Sequence, residues 1–241
     1  MNRKRVTAIV LAGTLICSPV FSIADGVIAY AADNQFNGEE WYDQIETVEI
    51  NREPAHATFT PYESVEQALS AEQTVFDDVD ETSSPYYQTL NGDWSFKFAQ
   101  RPADREKQVF GGEAAAAYEE NWDTTGWDTI KVPSTIQAQR DENGEFKYEK
   151  PLYVNQIYPW ANYETVNYNT NGTNKPVAPT VNNSIGQYKR TFTIPEDWDG
   201  RQVFVSFQGV ESAFYLYING QRVGYAEDSY TVDEFNITDY L

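Results

Sequence analysis

Residues 209–235 have the sequence GVESAFYLYINGQRVGYAEDSYTVDEF and contain a well-specified hairpin signal. In its first half, apolar residues alternate with tyrosines, which is the two-residue period of a β-strand. The apolar positions are Phe214, Leu216 and Ile218, and the intervening tyrosines are Tyr215 and Tyr217. Asn219-Gly220 then supplies a turn that accepts positive φ at both central residues, and residues 222–225 form the returning strand. This stretch predicts a β-hairpin in an all-β domain.

Further short strands are predicted along residues 81–241. Trp94, Phe96 and Phe98 alternate with polar residues, and residues 127–132, 188–194 and 203–207 also have strand character. Turn residues separate these segments and almost no helix is predicted, which is typical of a β-sandwich or jelly roll.

Residues 32–80 are polar and acidic, with scattered aromatic and aliphatic residues. This composition predicts an irregular N-terminal arm that lies on the domain. A short helix is expected over residues 64–73, because Ser64 and Gln67 fit a capping box.

Residues 1–31 have the pattern of a secretory signal peptide. A basic start precedes the apolar run of residues 6–15, and Ala29-Tyr30-Ala31 is a plausible cleavage site. A membrane-spanning helix needs about 20 predominantly apolar residues, and Cys17, Ser18, Pro19 and Asp25 would interrupt a helix of that length here. We therefore expect no membrane span and a secreted or cell-surface protein. The single cysteine, Cys17, would leave with the leader, so the mature chain would form no internal disulfide.

The chain is strongly acidic, with a formal net charge of −20. Removing residues 1–31 takes away three of the 17 basic and one of the 37 acidic residues, leaving 14 basic against 36 acidic and a net charge of −22. A field of this sign repels phosphate backbones, which argues against a nucleic-acid partner. The same negative field does not repel neutral sugars.

Five segments in order carry a resemblance to one family. Residues 209–235 match the pattern GVxSAFxLxxNGxxVGYxxDSxxxxEF, which recurs in the sugar-binding domain of β-galactosidases of glycoside hydrolase family 2. The other four segments are 50–56 (INREPAH, with Trp41 before it), 90–96 (LNGDWSF), 127–134 (WDTIKVPS) and 151–159 (PLYVNQIYP). The resemblance implies a jelly-roll, galactose-binding-like β-sandwich over residues 81–241, with a further strand expected after Leu241. Ile136, where the family usually has an aromatic residue, and the charged segment 141–150 depart from the pattern.

The resemblance also implies the site residues. Asn155 falls where the family has an asparagine beside galactose, and its amide suits a sugar hydroxyl. Asp228 falls where the family has an aspartate that accepts from sugar hydroxyls and helps to hold sodium, a chemistry that suits a carboxylate. Apart from the resemblance, each would be an ordinary turn residue. No catalytic residue is expected in this chain, because the family's two catalytic glutamates, and most ligands of its magnesium, belong to a downstream barrel domain.

The remaining polar candidates are predicted to be structural. Neighbouring residues on a strand point to opposite faces, so neither Glu227-Asp228 nor Asp233-Glu234 can converge on one bond. We expect Asp233 and Glu234 to be solvated and His56, the only histidine, to be a hydrogen-bonded structural residue. Tyr158 and Trp160 could pack in the core or stack on a sugar.

The predicted function is therefore the sugar-binding part of a secreted, retaining β-galactosidase that removes terminal β-D-galactose from β-galactosides. Three alternatives stay open: a free-standing carbohydrate-binding module, the same part of a β-glucuronidase or β-mannosidase, and a fragment that serves subunit assembly, since the family's N-terminal arm can contribute to homo-oligomer contacts.

Overall fold

The computed structural model describes residues 5–13, 40–44, 46–71, 81–106, 122–151, 178 and 183–241. These residues form antiparallel β-strands, with one short α-helix and several 3-10 turns. The strands are β1 (Arg5–Gly13), β2 (Glu49–Ile50), β3 (Gly92–Ala99), β4 (Asp128–Val132), β5 (Ile185–Thr193), β6 (Phe204–Phe207), β7 (Ala213–Ile218), β8 (Gln221–Glu227) and β9 (Asp233–Asn236). The all-β prediction is confirmed.

The strands form two sheets that share a core. A seven-stranded sheet has the order β2-β8-β7-β1-β5-β3-β4, and β6 pairs with β9 in a second sheet. Phe96 and Phe214 of the large sheet are buried in one cluster with Val205 and Phe235 of the small sheet. The rings of Phe214 and Phe235 meet edge to face, with centroids 5.8 Å apart. Burial of such large aromatic side chains is a main stabilising contribution. The jelly-roll connectivity itself stays a prediction.

The hairpin of β7 and β8 has the predicted turn. Asn219 and Gly220 have φ of 50° and 80°, and Ile218 pairs with Gln221 across the turn. Phe214, Leu216 and Ile218 face the core, as their spacing predicts. The tyrosine face of β7 is also buried, in a second cluster formed by Tyr215, Tyr217 and Tyr225.

Residues of the N-terminal arm cover this tyrosine face, namely Trp41, Tyr42 and Ile50. The Trp41 ring stacks on Tyr215 with centroids 5.4 Å apart, and the Trp41 backbone N–H donates to the Tyr215 hydroxyl at 2.8 Å. The guanidinium of Arg222, on strand β8, lies 3.9 Å from the centroid of the Trp41 ring. Strand β2 pairs with β8. Part of the predicted arm therefore packs on the domain, while its bounds, residues 32–80, stay a prediction.

The predicted short helix is present as α1 (Val65–Ser70). The Ser64 hydroxyl caps it by accepting from the Gln67 backbone N–H at 3.2 Å. Val65 and Leu69 are exposed, so α1 is held by its cap and local hydrogen bonds more than by burial.

Gly224 allows the arm to approach β8. A Cβ at this position would lie 2.6 Å from the Ile50 carbonyl oxygen and 2.6 Å from Cε1 of the buried Phe235 ring. We expect Gly224→Ala to lower the free energy of unfolding by about 1–3 kcal/mol, because backbone or a core ring must shift. Urea unfolding measures this loss. Gly209→Ala is the matched control, because its Cβ would meet only Ser229 O at 3.5 Å; equal midpoints for the two variants would contradict the close approach.

The apolar run that predicts a leader forms the central strand of the large sheet. Strand β1 pairs with β5 from Arg5↔Thr193 to Gly13↔Ile185 and with β7 from Ala8↔Ile218 to Gly13↔Ala213. Ala8 is fully buried in the shared core. We did not predict this strand, because a run such as VTAIVLAG suits a leader as well as a strand. Cleavage of residues 1–31 stays a prediction.

Candidate functional site

Asp228 lies in an ordered turn directly after β8. Its Oδ1 accepts from the backbone N–H groups of Ser229 at 2.6 Å and Tyr230 at 3.2 Å. Its own N–H donates to the Ser212 carbonyl at 3.0 Å. The side chain is exposed, so the turn holds a carboxylate at the surface in a defined orientation.

The surroundings of Asp228 favour its ionised form. The hydrogen bond from the Tyr230 backbone, together with those from the Thr231 side chain and the Ser229 backbone and the positive charge of Arg52, lowers the pKa of Asp228. At neutral pH this group is therefore an anionic acceptor, suited to hydroxyl donors or to a hard cation.

Arg52 joins the arm to the start of β9. Its Nη1 donates to Asp233 Oδ1 at 2.9 Å, and its Nη2 lies 2.6 Å from Glu49 Oε2. The Asp233 side chain is 0% exposed, so the prediction that Asp233 is solvated is wrong. Burial raises the pKa of Asp233 even though Arg52 opposes the shift. Its Oδ2 has no hydrogen-bond partner among the described residues.

Glu234 is on the opposite face of β9, as the strand period requires. Its Oε1 lies 3.0 Å from His56 Nε2, and its carbonyl accepts from the Glu53 N–H at 2.8 Å. Glu234 is therefore a partly exposed anchor of the arm, not a freely solvated acid. The expectation for His56 is confirmed, because its two ring nitrogens contact Glu234 and the Ala57 carbonyl oxygen. Those same two contacts raise the pKa of His56, the Ala57 carbonyl contributing most.

The sequence comparisons identify the family. Residues 87–241 match the family model of the sugar-binding domain of glycosyl hydrolases family 2. The chain belongs to glycoside hydrolase family 2. It is 44% identical over 202 residues to a β-galactosidase of Priestia megaterium, covering 84% of this chain and 17% of that protein. A β-galactosidase of Halalkalibacterium halodurans is 36% identical over 200 residues, covering 83% of this chain and 17% of that protein. The β-galactosidase large subunit of Leuconostoc lactis is 31% identical over 207 residues, covering 84% of this chain and 29% of that subunit.

This family 2 chain thus spans about a sixth of the length of the first two relatives, and its residues 87–241 correspond to the family's sugar-binding domain. Of its two predicted site residues, the structure places Asp228 on an exposed turn. Asn155 lies outside the described residues, as do Tyr158 and Trp160.

The next feature is the set of side chains that could ligate a metal ion in the described part of the domain. Within the described residues, no group of three or more His, Cys, Asp or Glu side chains is placed to hold a metal ion. The Asp228 carboxylate suits a hard cation chemically, as one oxygen ligand among several. Within the described ranges, no helix has the length and apolar character needed to cross a membrane.

Arg52 and Asp233 are the residues near this site that our sequence reasoning missed. Arg52 lies in the segment INREPAH that carries part of the family resemblance. Its partner is 181 residues away along the chain, and no local pattern reports such a contact.

Glu227, next to Asp228, gives a pH prediction. It accepts from the Tyr225 hydroxyl at 2.5 Å, and burial raises its pKa. When the pKa of a carboxyl is higher in the folded than in the unfolded state, the group stabilises the folded state. This contribution is complete below the unfolded-state pKa and is lost as the pH rises through the folded-state pKa. We expect Glu227→Gln to match the parent chain in acid and to be more stable above that folded pKa. Urea midpoints from about pH 4 to about pH 8 measure the difference. The same change at an exposed position, Glu145→Gln, is the control. If the urea midpoints of the two variants changed with pH in parallel, the raised pKa of Glu227 would be contradicted.

Proposed function

We propose that this chain is the sugar-binding part of a secreted β-galactosidase that hydrolyses terminal, non-reducing β-D-galactose residues in β-galactosides with retention of configuration. The observation that carries the proposal is the 44% identity to a β-galactosidase over 84% of the chain, together with the ordered, ionised Asp228 at the turn where the family resemblance expects a sugar ligand. The catalytic acid/base and nucleophile would be glutamates of a downstream barrel domain of the same enzyme.

In this proposal Asp228 orients the galactose. Its carboxylate would accept hydrogen bonds from sugar hydroxyls, which are stronger than bonds between neutral groups. The turn supports this role, because two backbone N–H groups hold Oδ1 in place before the sugar arrives and so reduce the entropy cost of binding. Asn155 would add amide donors and an acceptor to the same sugar.

Two ions are part of the proposed enzyme. Asp228 would contribute one oxygen ligand to a sodium ion, and the ligands of a magnesium ion would lie mostly beyond this chain. Hard cations of this kind supply positive charge that holds and polarises oxygen groups of a substrate. The role of the present chain is limited to binding and orientation.

The acidic composition of the chain supports a neutral substrate. A net charge of −20 disfavours phosphorylated or anionic-polymer partners, and galactosides carry no charge to repel. The same argument weighs against a glucuronide, whose carboxylate would meet Asp228.

An assay of the purified 241-residue chain separates this proposal from the binding-module alternative. We expect no hydrolysis of nitrophenyl β-galactoside and no heat of galactose or lactose binding by calorimetry, because half of a composite pocket leaves most of the sugar in water. Millimolar or tighter galactoside binding by the chain alone would instead favour a free-standing carbohydrate-binding module. Turnover by the chain alone would overturn the assignment of the catalytic glutamates to a downstream domain.

A further inference from the structure

The turn that carries Asp228 connects the two sheets. Strand β8 ends at Glu227 in the seven-stranded sheet, and β9 begins at Asp233 in the two-stranded sheet. Among the described residues β8 pairs with β7 and β2, and β9 pairs with β6, so no hydrogen-bonded ladder joins β8 to β9. Strand pairing therefore does not fix the separation between the two ends of the turn.

Residues 48–53, the arm segment, contact both ends of this turn. At the β8 end, the Val48 carbonyl accepts from the Glu227 N–H at 2.9 Å. At the β9 end, the Glu53 N–H donates to the Glu234 carbonyl at 2.8 Å. One short segment is thus hydrogen-bonded to the last residue of β8 and to the second residue of β9.

Asn51 is the point at which the arm segment passes from one sheet to the other. The two residues before it pair with β8, and the two residues after it contact β9. Asn51 has a φ of 55°, a left-handed conformation that asparagine adopts more readily than most residues. Its side-chain amide donates to the Val223 carbonyl at 2.7 Å. The change of direction is therefore fixed at this residue.

Arg52 adds an ion pair at the β9 end of the arm segment. Its Nη1 donates to Asp233 Oδ1 at 2.9 Å, and its Nη2 lies 2.6 Å from Glu49 Oε2. The Asp233 side chain is 0% exposed, so this contact is shielded from water and constrains the start of β9. The pKa of Asp228 is lowered first by the hydrogen bond from the Tyr230 backbone and also by the positive charge of Arg52.

We propose that Arg52 and the arm segment are positioning elements of the sugar site, which hold the two ends of the Asp228 turn at the separation that presents its carboxylate to galactose. They need not touch the sugar themselves. A turn whose ends are held loses less conformational freedom when a ligand binds, so the arm segment lowers the cost of binding. This inference rests on the proposed role of Asp228 as a sugar ligand, whereas the order of the turn can be measured without sugar.

The first test measures that order in the 241-residue chain. Arg52→Met combined with Asp233→Asn removes the ion pair without leaving a buried unpaired carboxylate, so the double variant retains more stability than Arg52→Met alone. We expect backbone nitrogen-15 order parameters of Ser229 and Tyr230 of about 0.85 in the parent and below about 0.6 in the double variant. Arg101→Met, which breaks an exposed ion pair, is the control and should keep the parental values.

Arg52→Lys takes the place of the double variant if the double variant does not fold. Lysine keeps the charge but lacks the planar fork that reaches two carboxylates. We expect a smaller fall of the same order parameters, and parental values in Arg52→Lys would then overturn the proposal.

The second test uses the longer polypeptide that also carries the proposed barrel. In the double variant we expect KM for nitrophenyl β-galactoside to rise about 2- to 10-fold, because the sugar must then order the Asp228 side chain, with kcat within about twofold of the parent. A purely structural role would instead return KM towards the parental value together with the stability that Asp233→Asn recovers.

Asp228→Asn in the same assay separates failure of this inference from failure of the proposed function. Parental order parameters or a parental KM in the double variant overturn the positioning role. If Asp228→Asn still lowers kcat/KM in that case, Asp228 remains a sugar ligand and only the positioning role is lost. If neither variant changes KM or kcat, the proposed sugar contact of Asp228 is lost as well.

Discussion

Arg52→Met is expected to cause the largest loss of stability of any single change at the arm. Asp233 has one hydrogen-bonded oxygen, which pairs with Arg52 at 2.9 Å, and its side chain is 0% exposed. Removing the cation leaves an uncompensated buried carboxylate, which typically costs about 3–5 kcal/mol. The measurement is the free energy of unfolding in urea at neutral pH, where the parent chain and the variant are compared.

A matched control and a rescue make this prediction sharp. Arg101→Met breaks an ion pair with Asp104 that is exposed on both sides, so its midpoint should stay at the parental value. Adding Asp233→Asn to Arg52→Met removes the unpaired charge and should recover part of the loss. Protonation of Asp233 in acid should also reduce the difference in the free energy of unfolding between the parent chain and Arg52→Met, because the pKa of Asp233 is raised in the folded state. A loss for Arg52→Met that equals that of Arg101→Met, or that does not shrink with Asp233→Asn, would contradict a buried ion pair.

Asp228→Asn is expected to cause the largest loss of activity available in this domain, measured in the longer polypeptide that also carries the proposed barrel. A hydrogen bond to a charged group is worth about 1.5–3 kcal/mol, so kcat/KM for nitrophenyl β-galactoside should fall about 10- to 150-fold. Asparagine keeps a side-chain oxygen for the Ser229 and Tyr230 N–H groups, so the turn should persist.

The control for Asp228→Asn is Asp239→Asn, the same change at another exposed aspartate. Its kcat/KM should stay within twofold of the parent value, which corresponds to a difference of about 0.4 kcal/mol in activation free energy. Unfolding curves of both variants check that the fold is intact. Equal activity of the two variants would remove Asp228 from the sugar site, whereas loss of activity together with unfolding would assign it a purely structural role.

The features that sequence reasoning predicted are those set by neighbouring residues. The strand period of residues 214–218 and the Asn219-Gly220 turn are local, and the structure has both. Ser64 caps α1 through Gln67, three residues on. Such features need no knowledge of the rest of the fold, because backbone preferences and alternation decide them.

The features that were missed depend on contacts between distant segments. The strand period correctly separated Asp233 from Glu234, but it could not say which face was buried, because Arg52 and the arm decide that. In the same way, Tyr215 alternates as a surface residue would, and it is buried because Trp41 lies on it. Strand β1 was missed because its pattern also fits a leader, and only its pairing with β5 and β7 distinguishes the two.

Asp228 itself was found only through the family resemblance. An aspartate followed by a serine after a strand is an ordinary turn signal, and nothing local separates a sugar ligand from a capping residue. The structure adds the hydrogen bonds from Ser229 and Tyr230, the exposure and the lowered pKa, which together describe an anionic acceptor held ready at the surface.

The most direct test of the account is the substrate preference and anomeric course of the longer polypeptide that contains these residues. Nitrophenyl β-galactoside, β-glucuronide and β-mannoside are offered in parallel, and the first sugar anomer released is followed by NMR. The account predicts hydrolysis of the galactoside in preference to the other two, with β-galactose appearing first. Preference for the glucuronide or the mannoside, or release of α-galactose first, would contradict it.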